Sequence, residues 1–227
     1  MTVRKFDFGR FAHQGTFDAH KEASIPGYGS LAEAVTGLAL RFVQDGTIAL
    51  DVGCSTGELI SAIRIVNHKA GRQASYQGWD IEPKFAQSWA ERTEQDLMFA
   101  NCDVCTGEFA NTSFVTSLFT LQFLSERWKM PVLRNIHGGL VAGGALVVAE
   151  KILASTGRLQ DALTFPYYDF KRQHFTPKQI LDKELSLRGQ MTLWTEAELR
   201  SALVEVGFRE IEPIWGSFPF AAFVALK

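Results

Sequence analysis

The sequence has little of what marks a secreted, membrane-spanning or polyanion-binding chain. Its 227 residues hold three cysteines, Cys54, Cys102 and Cys105. A disulfide-stapled secreted fold is thereby excluded, because such scaffolds need several pairs. Cys102-Asp-Val-Cys105 lacks a second cysteine pair, and the histidines are scattered, so no metal is expected. No stretch approaches the roughly 20 apolar residues that cross a bilayer. The first ten residues carry charge without the apolar run of a targeting signal, so the chain is read as cytoplasmic, with no membrane contact. An excess of one charge sign is also missing: 23 Lys and Arg face 25 Asp and Glu, for a net charge of -2. Without basic residues to neutralise phosphates, direct nucleic-acid binding is not expected and a small-molecule substrate is. There is no internal repeat and no low-complexity tract.

What is present is core material, with 46% apolar residues and 18 phenylalanines, enough for one α/β domain. Residues 1–29 read as an irregular arm packing over the site, with aromatic Phe6, Phe8, Phe11 and Phe17 and a break at Pro26-Gly27. The domain is expected to run over 30–227. Ser30 can cap a helix through about Val43. Strands and helices then alternate: a strand at Ile48 to Val52, a helix at Gly57 to Val66, a strand at Tyr76 to Asp80, a helix around Phe85 to Gln95, and strands at Leu97 to Ala100 and Phe114 to Phe119. A helix around Arg127 to Gly138 and a strand at Ala145 to Glu150 complete this part. Alternation of this kind predicts a parallel sheet with helices on both faces. After a helix at Glu196 to Val206, two strands joined by Gly216-Ser-Phe-Pro must pair antiparallel. Residues 152–193 break the pattern with polar helical text and read as a cap over the carboxyl edge of the sheet, where doubly wound folds bind ligands.

The chemistry is concentrated at strand ends. Asp51-Val-Gly-Cys-Ser-Thr-Gly57 follows the first strand: Gly53 and Gly57 permit a tight turn and close backbone approach, and the next helix offers free N–H groups. The turn is D-x-G-x-S-x-G rather than the G-x-G-x-x-G that cradles a pyrophosphate, and it resembles the loop that holds S-adenosylmethionine. Asp80 ends the second strand, where a carboxylate accepts ribose hydroxyls. Asp103, just after the third, can receive an adenine amino group. Ile81, Val104 and Leu118 complete the candidate nucleoside site. A mostly parallel sheet ending in an antiparallel hairpin resembles the seven-stranded Rossmann-like sheet of class I methyltransferases.

The likeness extends along nearly the whole chain. Ser24-Ile-Pro-Gly-Tyr28, Arg41-Phe-Val-Gln44, Phe119-Thr-Leu-Gln-Phe123, Gly143-Gly-Ala-Leu-Val147, Glu150-Lys151, Asp169-Phe-Lys-Arg172 and Val224-Ala-Leu-Lys227 resemble the carboxy-S-adenosyl-L-methionine synthases. The resemblance implies that Tyr28, Gly53, Cys54, Ser55, Asp80 and Asp103 contact the cofactor, S-adenosylmethionine or its carboxylated form. It implies a reaction of S-adenosylmethionine with prephenate, a product used by another enzyme on tRNA wobble uridine, and a homodimer formed through the cap. Two positions depart from the family: Glu184 stands where the family has a carboxylate-anchoring Arg, and Leu118 where it has an Asn.

Other expectations follow from the residues alone. Arg188, four positions after Glu184, could present a guanidinium from the same helical face. Tyr168, Lys171 and Arg172 are further candidates for the substrate or the sulfonium substituent. Tyr167, Trp194, Trp215, Phe218 and Phe220 offer aromatic faces. His174, in the cap, reads as solvated surface, and Glu150-Lys151 as a simple ion pair or a solvated strand end. Three functions stay open: carboxy-S-adenosylmethionine synthesis, methyl transfer to a small molecule, favoured by the lost Arg, and non-catalytic sulfonium binding.

Overall fold

In the computed structural model, residues 16–227 are described. Seven strands form one sheet: β1 (Ile48–Val52), β2 (Ser75–Asp80), β3 (Leu97–Asn101), β4 (Thr112–Leu118), β5 (Leu140–Lys151), β6 (Glu210–Ser217) and β7 (Phe220–Leu226). Their order is β3-β2-β1-β4-β5-β7-β6. β1 to β5 run parallel, and β7 lies antiparallel between β5 and β6. The order reverses between β1 and β4, and the crevice left there at the carboxyl ends is where such sheets take ligands.

Alternation along the strands sends side chains to two separate cores. Leu50 and Val52 of β1, with Val115, Leu146 and Val148, pack under α5 (Glu126–Gly139) and α8 (Glu196–Val206). Ala49, Phe114, Ala145 and Val147 face the other way, under α2 (Tyr28–Phe42) and α3 (Glu58–Lys69). Both faces of the sheet are covered, as parallel strands require. α6 (Gly157–Arg172) and α7 (Pro177–Leu187) follow β5. Thr176 and Thr195 close capping boxes with Gln179 and Glu198 at the starts of α7 and α8, each cap contributing about 1 kcal/mol.

Several local expectations change. Residues 16–24 form a helix, α1 (Thr16–Ser24), rather than an irregular arm; Phe6, Phe8 and Phe11 lie outside the described residues. α2 begins at Tyr28, after Gly27 at φ 75°, and Ser30 is not its cap: its hydroxyl donates back to the Gly27 carbonyl at 2.7 Å. The Pro26-Gly27 break is present, but it separates two helices. The helix expected over 85–95 shrinks to α4 (Ala86–Ala90), after a 3-10 turn at Pro83–Phe85. β5 starts five residues early because a register shift between Thr112 and Phe114 lets Leu140 pair with Thr112. The terminal strands extend across Gly216 and Ser217, leaving the turn to Phe218 and Pro219.

Candidate functional site

The carboxyl ends of β1, β2 and β4 open into a cavity of about 410 Å³, walled also by α1, α6 and α7. Its floor is the turn after β1. Gly53 has φ 75°, and a Cβ there would sit 2.1 Å from Thr120 Oγ1, so only glycine fits beneath the 119–123 segment. Thr120 Oγ1 in turn donates to the Val52 carbonyl at 3.0 Å. Ser55 takes φ 48°, and its N–H donates to Asp80 Oδ2 at 2.8 Å while Glu82 N–H donates to Oδ1 at 2.9 Å. The carboxylate oxygens, held by these backbone donors, keep acceptor capacity that suits a diol. Asp51 is fully buried; burial raises its carboxyl to about 6, against the hydrogen bond that Thr116 donates at 2.6 Å. The space under the turn, the split Asp80 carboxylate and Asp103, whose Oδ1 accepts Cys105 N–H at 2.9 Å, make an acidic, backbone-lined cradle. Such a donor and acceptor set fits a cationic nucleoside.

The far side of the cavity has the opposite charge. Lys151 ends β5, Lys171 lies in the last turn of α6 and Lys183 lies in α7; all three line the cavity with Glu184. Lys171 is 1% exposed. Its Nζ donates to Glu184 Oε1 at 3.2 Å, and Lys151 Nζ lies 4.0 Å from Glu184 Oε2. Burial lowers the Lys171 ammonium despite Glu184. Lys183 Nζ stands 2.6 Å from His20 Nε2 and donates to Ser24 Oγ at 3.1 Å. Burial, with Lys171 and Lys151, brings the Lys183 ammonium down to about 7 against Glu184, and burial takes the His20 imidazolium to about 4.

α1 spans the two sides. At the turn after β1, Asp18 accepts from Thr56 Oγ1 at 2.9 and 3.1 Å and pairs with Lys21 at 2.8 Å. Lys21 sits 4.8 Å from the Tyr28 ring centroid and 3.6 Å from Glu58. Burial opposes the Lys21 charge, but Tyr28 and Asp18 outweigh it and raise the ammonium above its ordinary value. At the other end, Tyr167 Oη donates to the Ser24 carbonyl at 3.1 Å.

Of the residues singled out in the sequence, Tyr28, Asp51, Gly53, Cys54, Ser55, Asp80, Ile81, Asp103, Val104 and Leu118 line this cavity, as do Lys171 and Glu184. Gly57 does not: it faces Phe99, where a Cβ would come within 2.4 Å of the ring. Arg188, Arg172 and Tyr168 are not among the lining residues. α7 ends at Leu187, so the extended backbone of Arg188 departs from the helical face of Glu184 and the side chain is exposed. Arg172 is exposed and pairs with Asp169 at 2.7 Å. Tyr168 is half-buried beside Tyr167, which takes the lining position with Phe220. His174 is exposed.

Glu150-Lys151 is not a solvated strand end. Glu150 is buried and accepts Leu121 N–H at 3.0 Å and Gln122 N–H at 2.7 Å, pinning the turn after β4. Lys151, pointing to the other face of the strand, enters the cavity. The sequence signal was strand alternation, which puts neighbours on opposite faces. His20, Lys21 and Lys183 carried no signal, because the contacts that bring them together at the cavity, such as Lys183 with His20 and Lys21 with Glu58, join distant segments. Among the described residues, no group of three or more His, Cys, Asp or Glu side chains is placed to hold a metal, and no helix is long and apolar enough to cross a membrane.

Comparison with known proteins agrees with this geometry. Residues 50–148 match the family described as a methyltransferase domain. A carboxy-S-adenosyl-L-methionine synthase from Enterobacter sp. is 31% identical over 214 residues, covering 91% of this chain and 85% of that protein. The enzyme of the same name from Staphylococcus epidermidis is 28% identical over 213 residues, covering 93% and 92%. Among solved structures, a chain from the complex between the Haloferax volcanii Trm112 methyltransferase activator and a methyltransferase aligns with a TM-score of 0.64 at 19% identity, covering 99% of each chain. Magnesium protoporphyrin IX methyltransferase from Synechocystis, solved with bound SAH, aligns with a TM-score of 0.63 at 14% identity, covering 96% of this chain and 91% of that one.

Proposed function

The chain belongs to the carboxy-S-adenosyl-L-methionine synthase family and is an S-adenosylmethionine-dependent transferase, and from this premise we propose that it carboxylates its sulfonium cofactor with prephenate as co-substrate. The observation that carries the reading is the segregation of charge within one cavity. Asp51, Asp80 and Asp103 gather at the β1–β3 side, where Lys21 also lines the cavity but is paired with Asp18 and Glu58, while Lys151, Lys171 and Lys183 gather beyond β4, so a cationic nucleoside and an anionic co-substrate each have a complementary end. S-adenosylmethionine, when bound, supplies a sulfonium-activated methyl carbon, which would give up a proton and bond the carboxyl carbon released as the prephenate ring aromatises, the ring hydroxyl leaving with that proton as water and phenylpyruvate remaining. Tyr28, Gly53, Cys54, Ser55, Asp80 and Asp103 hold the nucleoside, with Ile81, Val104 and Leu118 packing against it. Lys171 and Lys151 orient the co-substrate, and α1, α6 and α7 exclude water from it. The product is a donor for another enzyme, which in this family is one that modifies tRNA wobble uridine.

A second reading, methyl transfer to an acidic small molecule, is favoured by Glu184 at the position of the family's Arg, since a carboxylate cannot anchor a carboxylated sulfonium. Incubating the full chain with S-adenosylmethionine, with and without prephenate, and resolving the nucleosides by mass spectrometry separates the two. A carboxylated nucleoside that appears only with prephenate is the expected result. Its absence from a protein that retains S-adenosylmethionine would leave methyl transfer as the function.

A further inference from the structure

The basic end of the cavity contains one carboxylate of its own. Lys171 is buried to 1% exposure, with Tyr167 and Tyr168 rings 4.9 and 5.9 Å from its Nζ, and Lys151 Nζ lies 5.5 Å from the Tyr167 centroid. Two ammonium groups held this close in an apolar, aromatic surround repel each other, and an anion between them relieves the cost. That anion is Glu184, which reaches both lysines, at 3.2 and 4.0 Å, and still faces the cavity with 26% of its side chain exposed. The two lysines enter from different elements, β5 and α6, so their positions do not depend on α7, which brings Glu184. A carboxylate approaching from the cavity therefore meets lysines already in place and a protein carboxylate already on them.

We propose that Lys151 and Lys171 form a carboxylate-binding subsite, that Glu184 is its tethered occupant in the unliganded chain, and that a carboxylate-bearing co-substrate binds by displacing Glu184 from the lysines. This rests on the reading of the cavity as taking an anionic co-substrate, and it names the groups that meet the anion. Glu184 thereby sets specificity. An acceptor must outcompete a carboxylate that carries no translational entropy cost, so a ligand reaching both lysines succeeds and a neutral one is not drawn in. Removing the Glu184 charge eliminates the competitor without moving the lysines.

The test is calorimetric titration of prephenate into the full chain saturated with S-adenosylhomocysteine, for wild type, Glu184→Gln and Lys171→Met. S-adenosylhomocysteine titrations of each protein report the integrity of the nucleoside end. Glu184→Gln is expected to bind prephenate about tenfold more tightly and Lys171→Met about tenfold more weakly, the range found for close charge pairs in binding sites, with S-adenosylhomocysteine affinity unchanged. If wild type binds prephenate but Glu184→Gln binds it no more tightly, the tethered-occupant inference falls and the anionic co-substrate stands. If neither binds prephenate while both bind S-adenosylhomocysteine, both fall.

Discussion

Glu150 has no part in the cradle or the basic end, yet it decides where the turn between them lies. Its two oxygens take the N–H groups of Leu121 and Gln122, and Gln122 Oε1 accepts Lys151 N–H at 2.8 Å, so one carboxyl fixes both the floor above Gly53 and the strand that carries Lys151. Burial pushes this carboxyl up to about 8, against the Gln122 N–H and Lys129. Between its ordinary value of 4.5 and about 8, the folded chain keeps a proton that the unfolded chain has released. Stability from this group therefore falls as pH rises through that window. Thermal unfolding across the same range should show wild type losing ground to Glu150→Gln as pH rises. Parallel curves for the two proteins would refute the assignment.

At the scale of elements, α1 is the piece that sequence reasoning misjudged. Its text, with Asp18, Lys21 and His20 dispersed among small residues, carries a weak helical stripe, and its stabilising partners (Thr56, Glu58, Lys183) lie in α3, its entry turn and α7. A helix held by tertiary contacts rather than by its own pattern leaves little trace in a short window. The strands were legible for the opposite reason: Ile48 to Val52 and Ala145 to Glu150 are buried on both faces and read as apolar runs. The cradle was legible because its residues stand at or just beyond the ends of β1, β2 and β3. The basic end was legible only in part: Lys171 and Glu184 stood out, whereas Lys151 reads with Glu150 as an ordinary strand end and Lys183 reaches the cavity only through the packing of α7. Because Asp18 braces the cofactor turn through Thr56, Asp18→Ala should weaken S-adenosylhomocysteine binding roughly fivefold, equivalent to about 1 kcal/mol for one hydrogen bond. Titration of a variant with an unchanged circular dichroism spectrum checks this; equal affinity would mean that α1 does not support the turn.

For the whole molecule, the charges that matter are local, since the net charge is only -2. Attraction of an anionic co-substrate should come from the lysine side of the cavity and be screened there by salt, though less than at an exposed surface. Prephenate affinity should fall several-fold, on the order of 1 kcal/mol, between low salt and about 1 M, while S-adenosylhomocysteine, held by hydrogen bonds and packing, changes little. Calorimetry at two ionic strengths distinguishes them, and an equal loss for both ligands would argue against charge segregation.

The two ends also lie in different stretches of chain. Residues 50–148, the part that matches the general methyltransferase domain, contain Asp51, Asp80 and Asp103, whereas Lys151, Lys171, Lys183 and Glu184 all come after it. On the proposed function, the first stretch supplies the acidic cradle, to which Tyr28 is added from α2, and the second supplies the lysines that meet the co-substrate. Substitutions in the later stretch can thus alter the co-substrate end, as Glu184 does where the family resemblance implies an Arg, without touching the acidic turn that follows β1.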